Sequence, residues 1–284
     1  MVIDAHQHFW HYDPQRHGWI TDAMSAIRRD FLPSQFESEC VANGVDASVL
    51  VQVDQTEAET RFLLQLAEQY PRIAAVIGWI DLLAPSLAER LQYFSQFQKL
   101  HGFRHIAQAE PDDRFLVQRA FLDGISLLRQ FNFVYEILIY PRQLPAAIEL
   151  ASHLPDQPFV LDHLAKPFIK ARCLEPWATH MRILAQSKNV QCKLSGMVVE
   201  ADWHAWKPAD FRPYLDVVFD AFGPERLMFG SDWPVCLLAG SYARVKELVA
   251  DYVGRNCPQH KEKIFGDNAA RFYQLKAGHH GLAA

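Results

Sequence analysis

Short apolar runs rich in Val, Ile, Leu and Phe recur along the chain, and longer stretches with helical spacing separate them. The runs cover residues 2–8, 47–53, 73–80, 100–106, 133–140, 159–163, 190–195 and 227–232. Runs this short, bounded by turn residues, read as strands. Between them, residues 57–70 place Phe62, Leu63, Leu66, Ala67 and Tyr70 at helical spacing, and Pro71 stops the helix. Residues 86–98 do the same with Leu87, Leu91, Phe94 and Phe97. Further helices are expected over 36–43, 117–131, 144–153, 176–187, 214–222, 242–252 and 259–273. Gly44 and Gly223 close two of these, and Pro145 fits a first turn. Residues 9–35, rich in Trp, Tyr, Pro and Asp, form a long first loop.

Eight strands separated by helices demand parallel pairing with crossovers, and closure gives a (β/α)8 TIM barrel. An open doubly wound sheet is the alternative. Against it, no GxGxxG follows a strand and no GxxxxGK[ST] occurs. With no internal repeat or Pro/Gly/Ser linker, residues 1–284 read as one barrel domain with a frayed tail from about Lys276. The tail's His279-His280 pair is expected to be incidental.

The bulk numbers narrow the setting. Half of the residues (50%) are hydrophobic, which suits a large core. The net charge of -5, with no basic block, argues against nucleic acid or an anionic membrane as partner. No apolar run reaches the roughly 18 residues that span a bilayer, and no secretory signal precedes the first strand. Cys40, Cys173, Cys192, Cys236 and Cys257 form no CxxC pair, so reduced, mostly buried thiols and a cytoplasmic location are expected. A homo-oligomer is compatible with all of this.

In a barrel, chemistry sits at the C-terminal strand ends. Strand one carries Asp4, His6 and His8, which alternation would put on one face. Strand four ends in Arg104-His105, and strand six in Asp162-His163, followed by Lys166. Strand seven carries Lys193 and Ser195, and strand eight ends in Asp232-Trp233-Pro234. So many ionisable groups exceed what packing requires, because buried charges are costly unless paired or ligated. Each residue also has a plain structural reading. Asp232 could cap a turn, Arg104 could neutralise Asp4, and His163 could be a satisfied core histidine. Lys166 could be a surface charge, and Ser195 lacks the GxSxG elbow of a nucleophile. Glu136 lies mid-strand, either supporting the site or paired among the helices.

The ordered set resembles the amidohydrolase superfamily and its sugar-lactonase branch. The resemblance rests on His6-x-His8, Gly102-Phe-Arg-His105, Leu161-Asp-His-Leu-Ala-Lys-Pro167, Cys192-Lys-Leu-Ser-Gly-Met197 and Phe229-Gly-Ser-Asp-Trp-Pro-Val235. It runs from Val2 to about Tyr273 and is nearest to L-fuconolactonases and related aldonolactonases. It implies a (β/α)8 fold and hydrolysis of a small sugar lactone in carbohydrate metabolism. By the resemblance, His6, His8, Asp232 and His163 are candidate ligands of one divalent metal ion, zinc by preference; activity without metal stays open. Asp232, His163, Arg104 and His105 are the catalytic candidates, with Asp232 as general base. Lys166, Trp233, Trp10 and Trp19 are the substrate-binding candidates. The superfamily's strand-four bridging residue and strand-five histidine are missing, which speaks against two metals. A metal-dependent decarboxylase, a dicarboxylate-lactone hydrolase and a catalytically silent binding barrel are the alternatives.

Overall fold

The computed structural model describes residues 1–275; the expected frayed tail and its histidine pair lie outside the described residues. The strands are β1 (Ile3–Gln7), β2 (Ala47–Val51), β3 (Ile73–Gly78), β4 (Leu100–His105), β5 (Val134–Ile137), β6 (Phe159–Leu161), β7 (Val190–Leu194) and β8 (Leu227–Phe229). They pair in chain order, every pair parallel. A parallel bridge between Gln7 and Trp233 brings the last strand back to the first. The (β/α)8 barrel expected from the pattern is therefore the fold.

Outside the strands run α1 (Pro33–Asn43), α2 (Glu57–Gln69), α3 (Leu87–Phe94), α4 (Arg119–Leu128) and α5 (Leu144–His153). They continue with α6 (Trp177–Leu184), α7 (Pro208–Phe222), α8 (Tyr242–Asn256) and α9 (Asn268–Phe272). Leu50, Val76, Phe103, Tyr135, Leu161 and Leu194 face this helical layer and build the larger core. The opposite strand faces supply Ala5, Val49, Ile77, Val134, Val160 and Met228 to the barrel interior. Phe272 and Tyr273 join that inner cluster and plug its N-terminal end.

Three departures from the pattern have physical reasons. First, α7 begins at Pro208, ahead of the expected 214, and carries Pro213 inside it. Proline at the first helical position suits the missing N–H, and the Asp210 carboxylate accepts from Lys207 N at 2.8 Å. Second, the expected closing helix is broken into a 3-10 turn (Pro258–His260), a π turn (Lys263–Asp267) and α9. Gly266 in the π turn lies against the Met1 carbonyl, which a Cβ there would approach to 2.0 Å. Third, Asp4 does not share a face with His6 and His8. The β1–β2 register shifts between Asp4 and Gln7. That bulge breaks the two-residue alternation, so Ala5 lies inside while the Asp4 carboxylate meets Tyr242 of α8 at 2.9 Å.

Candidate active site

The bonds that close the barrel hold the site. His8 N donates to Trp233 O at 2.7 Å, and Asp232 N donates to His6 O at 2.8 Å. The fully buried Asp4 fastens the same seam: one oxygen accepts from Ser231 N at 2.8 Å and His6 N at 3.1 Å, the other from Tyr242 Oη. Gly230 leaves room here, because a Cβ would lie 2.7 Å from His6 Cβ.

Across the seam three side chains converge. His6 Nε2 and His8 Nε2 are 3.2 Å apart, and Asp232 Oδ1 lies 3.3 Å from His8 Nε2 and 3.9 Å from His6 Nε2. His8 Nδ1 donates to the Val51 carbonyl at 2.8 Å, which leaves its Nε2 lone pair facing His6 and Asp232. Two ring nitrogens this close require a proton or a cation between them. These three residues can therefore hold a metal ion, their ligand atoms all lying within 4.8 Å of one another. A second grouping, His6, Asp162 and His163, shares His6. There Asp162 is already engaged by two cations, Arg104 at 2.9 Å and Lys193 at 3.2 Å.

His163 completes the ring of groups from the loop after β6. Its Nε2 is 3.9 Å from Asp232 Oδ1, and its Nδ1 is 2.8 Å from Ser195 Oγ. Gly196 is needed beneath it, since a Cβ would stand 2.6 Å from the ring. Four consecutive residues, His163 to Lys166, take φ between 51° and 55°, and Asp232 has φ 58°. Such left-handed backbone costs about 1–2 kcal/mol per residue. It persists where the surroundings impose it. Trp177 Nε1 on the Leu164 carbonyl at 2.7 Å is one such hold.

Beneath the ring lies a charge cluster sealed in the barrel. Arg104, Lys193, Asp162 and Glu136 are at most 4% exposed. Lys193 Nζ sits 2.6 Å from Glu136 Oε2 and 3.1 Å from His6 Nδ1. Arg104 Nη1 reaches Asp162 Oδ2 and stands 3.2 Å from His6 Nε2, while its Nη2 donates to the Gln52 carbonyl. Burial raises a carboxyl, but Lys193, His6 and Arg104 outweigh it and hold Asp162 well below the usual range. Asp232 is likewise held low against burial, by His163 and His8. Burial and the Lys193 charge push His6 well below the ordinary imidazole value.

The structure thus brings together His6, His8, His163, Asp232 and Arg104. Of the other sequence-derived candidates, His105, Trp233, Trp10 and Trp19 stand apart. His105 points out of the barrel, 2.8 Å from Glu110 and stacked on Phe115. Trp233 is buried among Phe9, Phe31 and Phe36. Trp10 packs on Phe31 and meets Trp19 edge-on at 6.1 Å, within the first loop. Lys166 is half-buried at the rim, 5.5 Å above the Tyr140 ring. Arg104 neutralises Asp162, not Asp4. Sequence reasoning left Glu136 undecided and gave no role to Asp162, Lys193 and Tyr273. Inward strand parity of Glu136 and Lys193 was the available signal; nothing local marks Tyr273.

Burial also pushes His163 down, to about 4, against the pull of Asp232 and Asp162. An imidazole in the unfolded chain titrates near 6.5. Between these values the unfolded chain binds more protons than the folded one, so stability is lost as pH falls through this window. His163→Gln should flatten that limb when thermal midpoints of metal-free protein are compared from about pH 7.5 to about pH 4.5. Equal slopes in the two proteins would contradict a buried neutral imidazole.

Comparison with known proteins agrees with this geometry. A family model described as amidohydrolase matches residues 3–275. An L-fucono-1,5-lactonase of Burkholderia multivorans is 43% identical, with 96% of each chain covered. One from Burkholderia ambifaria is 35% identical, over 96% of this chain and 95% of its own. The crystal structure of an amidohydrolase from Burkholderia multivorans with bound zinc superposes with a TM-score of 0.93 at 42% identity, covering 97% of this chain and 100% of its own. Seam, converging histidines and aspartate, family match and relatives agree: the chain belongs to the amidohydrolase family.

Proposed function

We propose that the protein is a hydrolase that opens a sugar lactone of the L-fucono-1,5-lactone type to its open-chain acid. The observation that carries the reading is a buried Asp232 facing three histidines at the C-terminal end of the barrel. The relatives at 43% and 35% identity supply the substrate class. Five free cysteines suit a reducing compartment, and the reading puts the enzyme in the cytoplasm.

Asp232 is the base. Kept low by His163 and His8, it is ionised at neutral pH and takes a proton from the attacking water. The water oxygen bonds to the lactone carbonyl carbon, and negative charge develops on the carbonyl oxygen. His163 is neutral, and a Ser195 hydroxyl donating to its Nδ1 leaves the Nε2 proton free to stabilise that oxygen. The ring C–O bond then breaks, and Asp232 returns its proton to the departing alkoxide. The acid product ionises, so each turnover releases one proton. Lys166 at the rim is placed to bind substrate hydroxyls. Both Nη atoms of Arg104 are committed, to Asp162 and to Gln52, which favours hydrolysis over decarboxylation.

The donor set fits one metal ion on His6, His8 and Asp232, zinc by the softness of imidazole and the size of the set. Such an ion supplies Lewis-acid polarisation and a more acidic water when bound. The Arg104 and Lys193 cations beside His6 leave no place for a second ion.

A pH-indicator assay across a panel of sugar lactones is the direct test, with L-fucono-1,5-lactone expected among the best substrates. Asp232→Asn should keep the fold and lower kcat by at least about a hundredfold; near-normal turnover would remove Asp232 as base. Elemental analysis should find about one equivalent of divalent metal per chain, abolished by the paired changes His6→Ala and His8→Ala. Two tightly held ions would refute the single site. Full activity in metal-free, chelator-treated protein would leave these histidines as hydrogen-bonding groups only.

A further inference from the structure

The plug at the barrel floor touches the charge cluster. Tyr273, fully enclosed at 1% exposure, donates its hydroxyl to Glu136 Oε1 at 2.5 Å. Its ring also lies 5.8 Å from Lys193 Nζ, a cation–π contact. The other oxygen of Glu136 holds Lys193 at 2.6 Å, and Lys193 reaches His6 Nδ1 at 3.1 Å. A continuous line of contacts therefore runs from the C-terminal segment to a candidate metal ligand.

We propose that Tyr273 is a positioning residue for the active site, fixing Glu136 and Lys193 from the barrel floor and, through them, the ring of His6. The proposal rests on the reading of His6 as a member of the site. A buried ammonium has three N–H groups to satisfy. Around Lys193 stand the carboxylate oxygens Glu136 Oε2 and, at 3.2 Å, Asp162 Oδ1, with the His6 ring packed at Nδ1; that nitrogen's N–H faces Asp162 Oδ1 at 3.4 Å when Nε2 keeps its lone pair. Asp162 is anchored independently by Arg104. Glu136 is anchored at its far oxygen by Tyr273. Without that hydroxyl, a buried carboxylate oxygen loses its donor, a costly state that the side chain relieves by moving. Lys193 is tied to Glu136 by the shortest of its contacts and follows it, away from His6. Lys193 packs against Nδ1 beside Asp162 Oδ1 at 3.4 Å, so its displacement loosens the ring that presents Nε2 to His8 and Asp232.

Tyr273 does not touch substrate in this account, and a purely packing role would alter stability without altering His6. The test is therefore the nitrogen spectrum of 15N-histidine-labelled protein, with the His6 signals assigned by their loss in His6→Asn. In folded Tyr273→Phe the His6 Nδ1 signal should move, while that of His153, bonded to Glu149 O on an outer helix, stays. Lactone turnover and zinc affinity should each fall roughly tenfold, with KM little changed, as for other groups that orient a ligand. Should Tyr273→Phe fail to fold, Glu136→Gln keeps an acceptor for Tyr273, weakens the hold on Lys193 and should move the same signal. A His6 signal that moves in a protein opening no lactone would sustain the positioning role and overturn the proposed reaction instead. An unmoved His6 signal in a folded variant would overturn the positioning role.

Discussion

The barrel closes where β1 meets the chain following β8, and Asp4 is the residue that makes the closure possible. Its carboxylate gathers two backbone N–H groups and a tyrosine hydroxyl from three segments. None of these donors has water to fall back on, so the junction is held by bonds that would be costly to leave unmade. Burial pushes the Asp4 carboxyl up to about 6, against those same bonds. The bulge at this point sends Ala5 inward and still lets His6 and His8 reach the barrel centre. Barrel closure and candidate site share one joint: backbone bonds that close the ring are made by His6, His8 and Asp232 themselves.

Immediately below, the interior holds two cations and two carboxylates with almost no access to water. Moving such groups from water costs several kcal/mol each, and only complete pairing offsets this. The pairing is reciprocal: Arg104 on Asp162, and Lys193 on both Asp162 and Glu136. A site built over such a cluster gains a fixed field and rigid support. It also puts positive charge beside His6.

Most of the architecture was legible because two periods alternate along the chain. Short β-branched runs marked the strands, and helical spacing marked most of the crossovers. The candidate site was legible where polar residues stood at strand ends, as with His6, His8, His163 and Asp232. What escaped the pattern depended on events with no local signature. A one-residue bulge reversed the facing of Asp4. Pro213 hid the first turns of α7, although Pro208 and Asp210 formed a sound start. Strand parity separated Arg104 from its neighbour, turning His105 outward to Glu110. Trp10 and Trp233 are buried against other rings, where packing covers more area than an exposed stack, while Trp19 stays 40% exposed. Tyr273 lies at the far end of the chain and meets Glu136 only once the barrel has closed.

In the proposed reaction, water deprotonated by Asp232 attacks the carbonyl carbon of a lactone. Brief turnover of L-fucono-1,5-lactone in 18O-labelled water, with mass analysis of the acid before it can recyclise, tests this attack at the bond concerned. One labelled oxygen is expected, located in the carboxylate, with the ring oxygen retained unlabelled as the new hydroxyl. Label in that hydroxyl, or a product that has lost its carboxyl carbon, would contradict it.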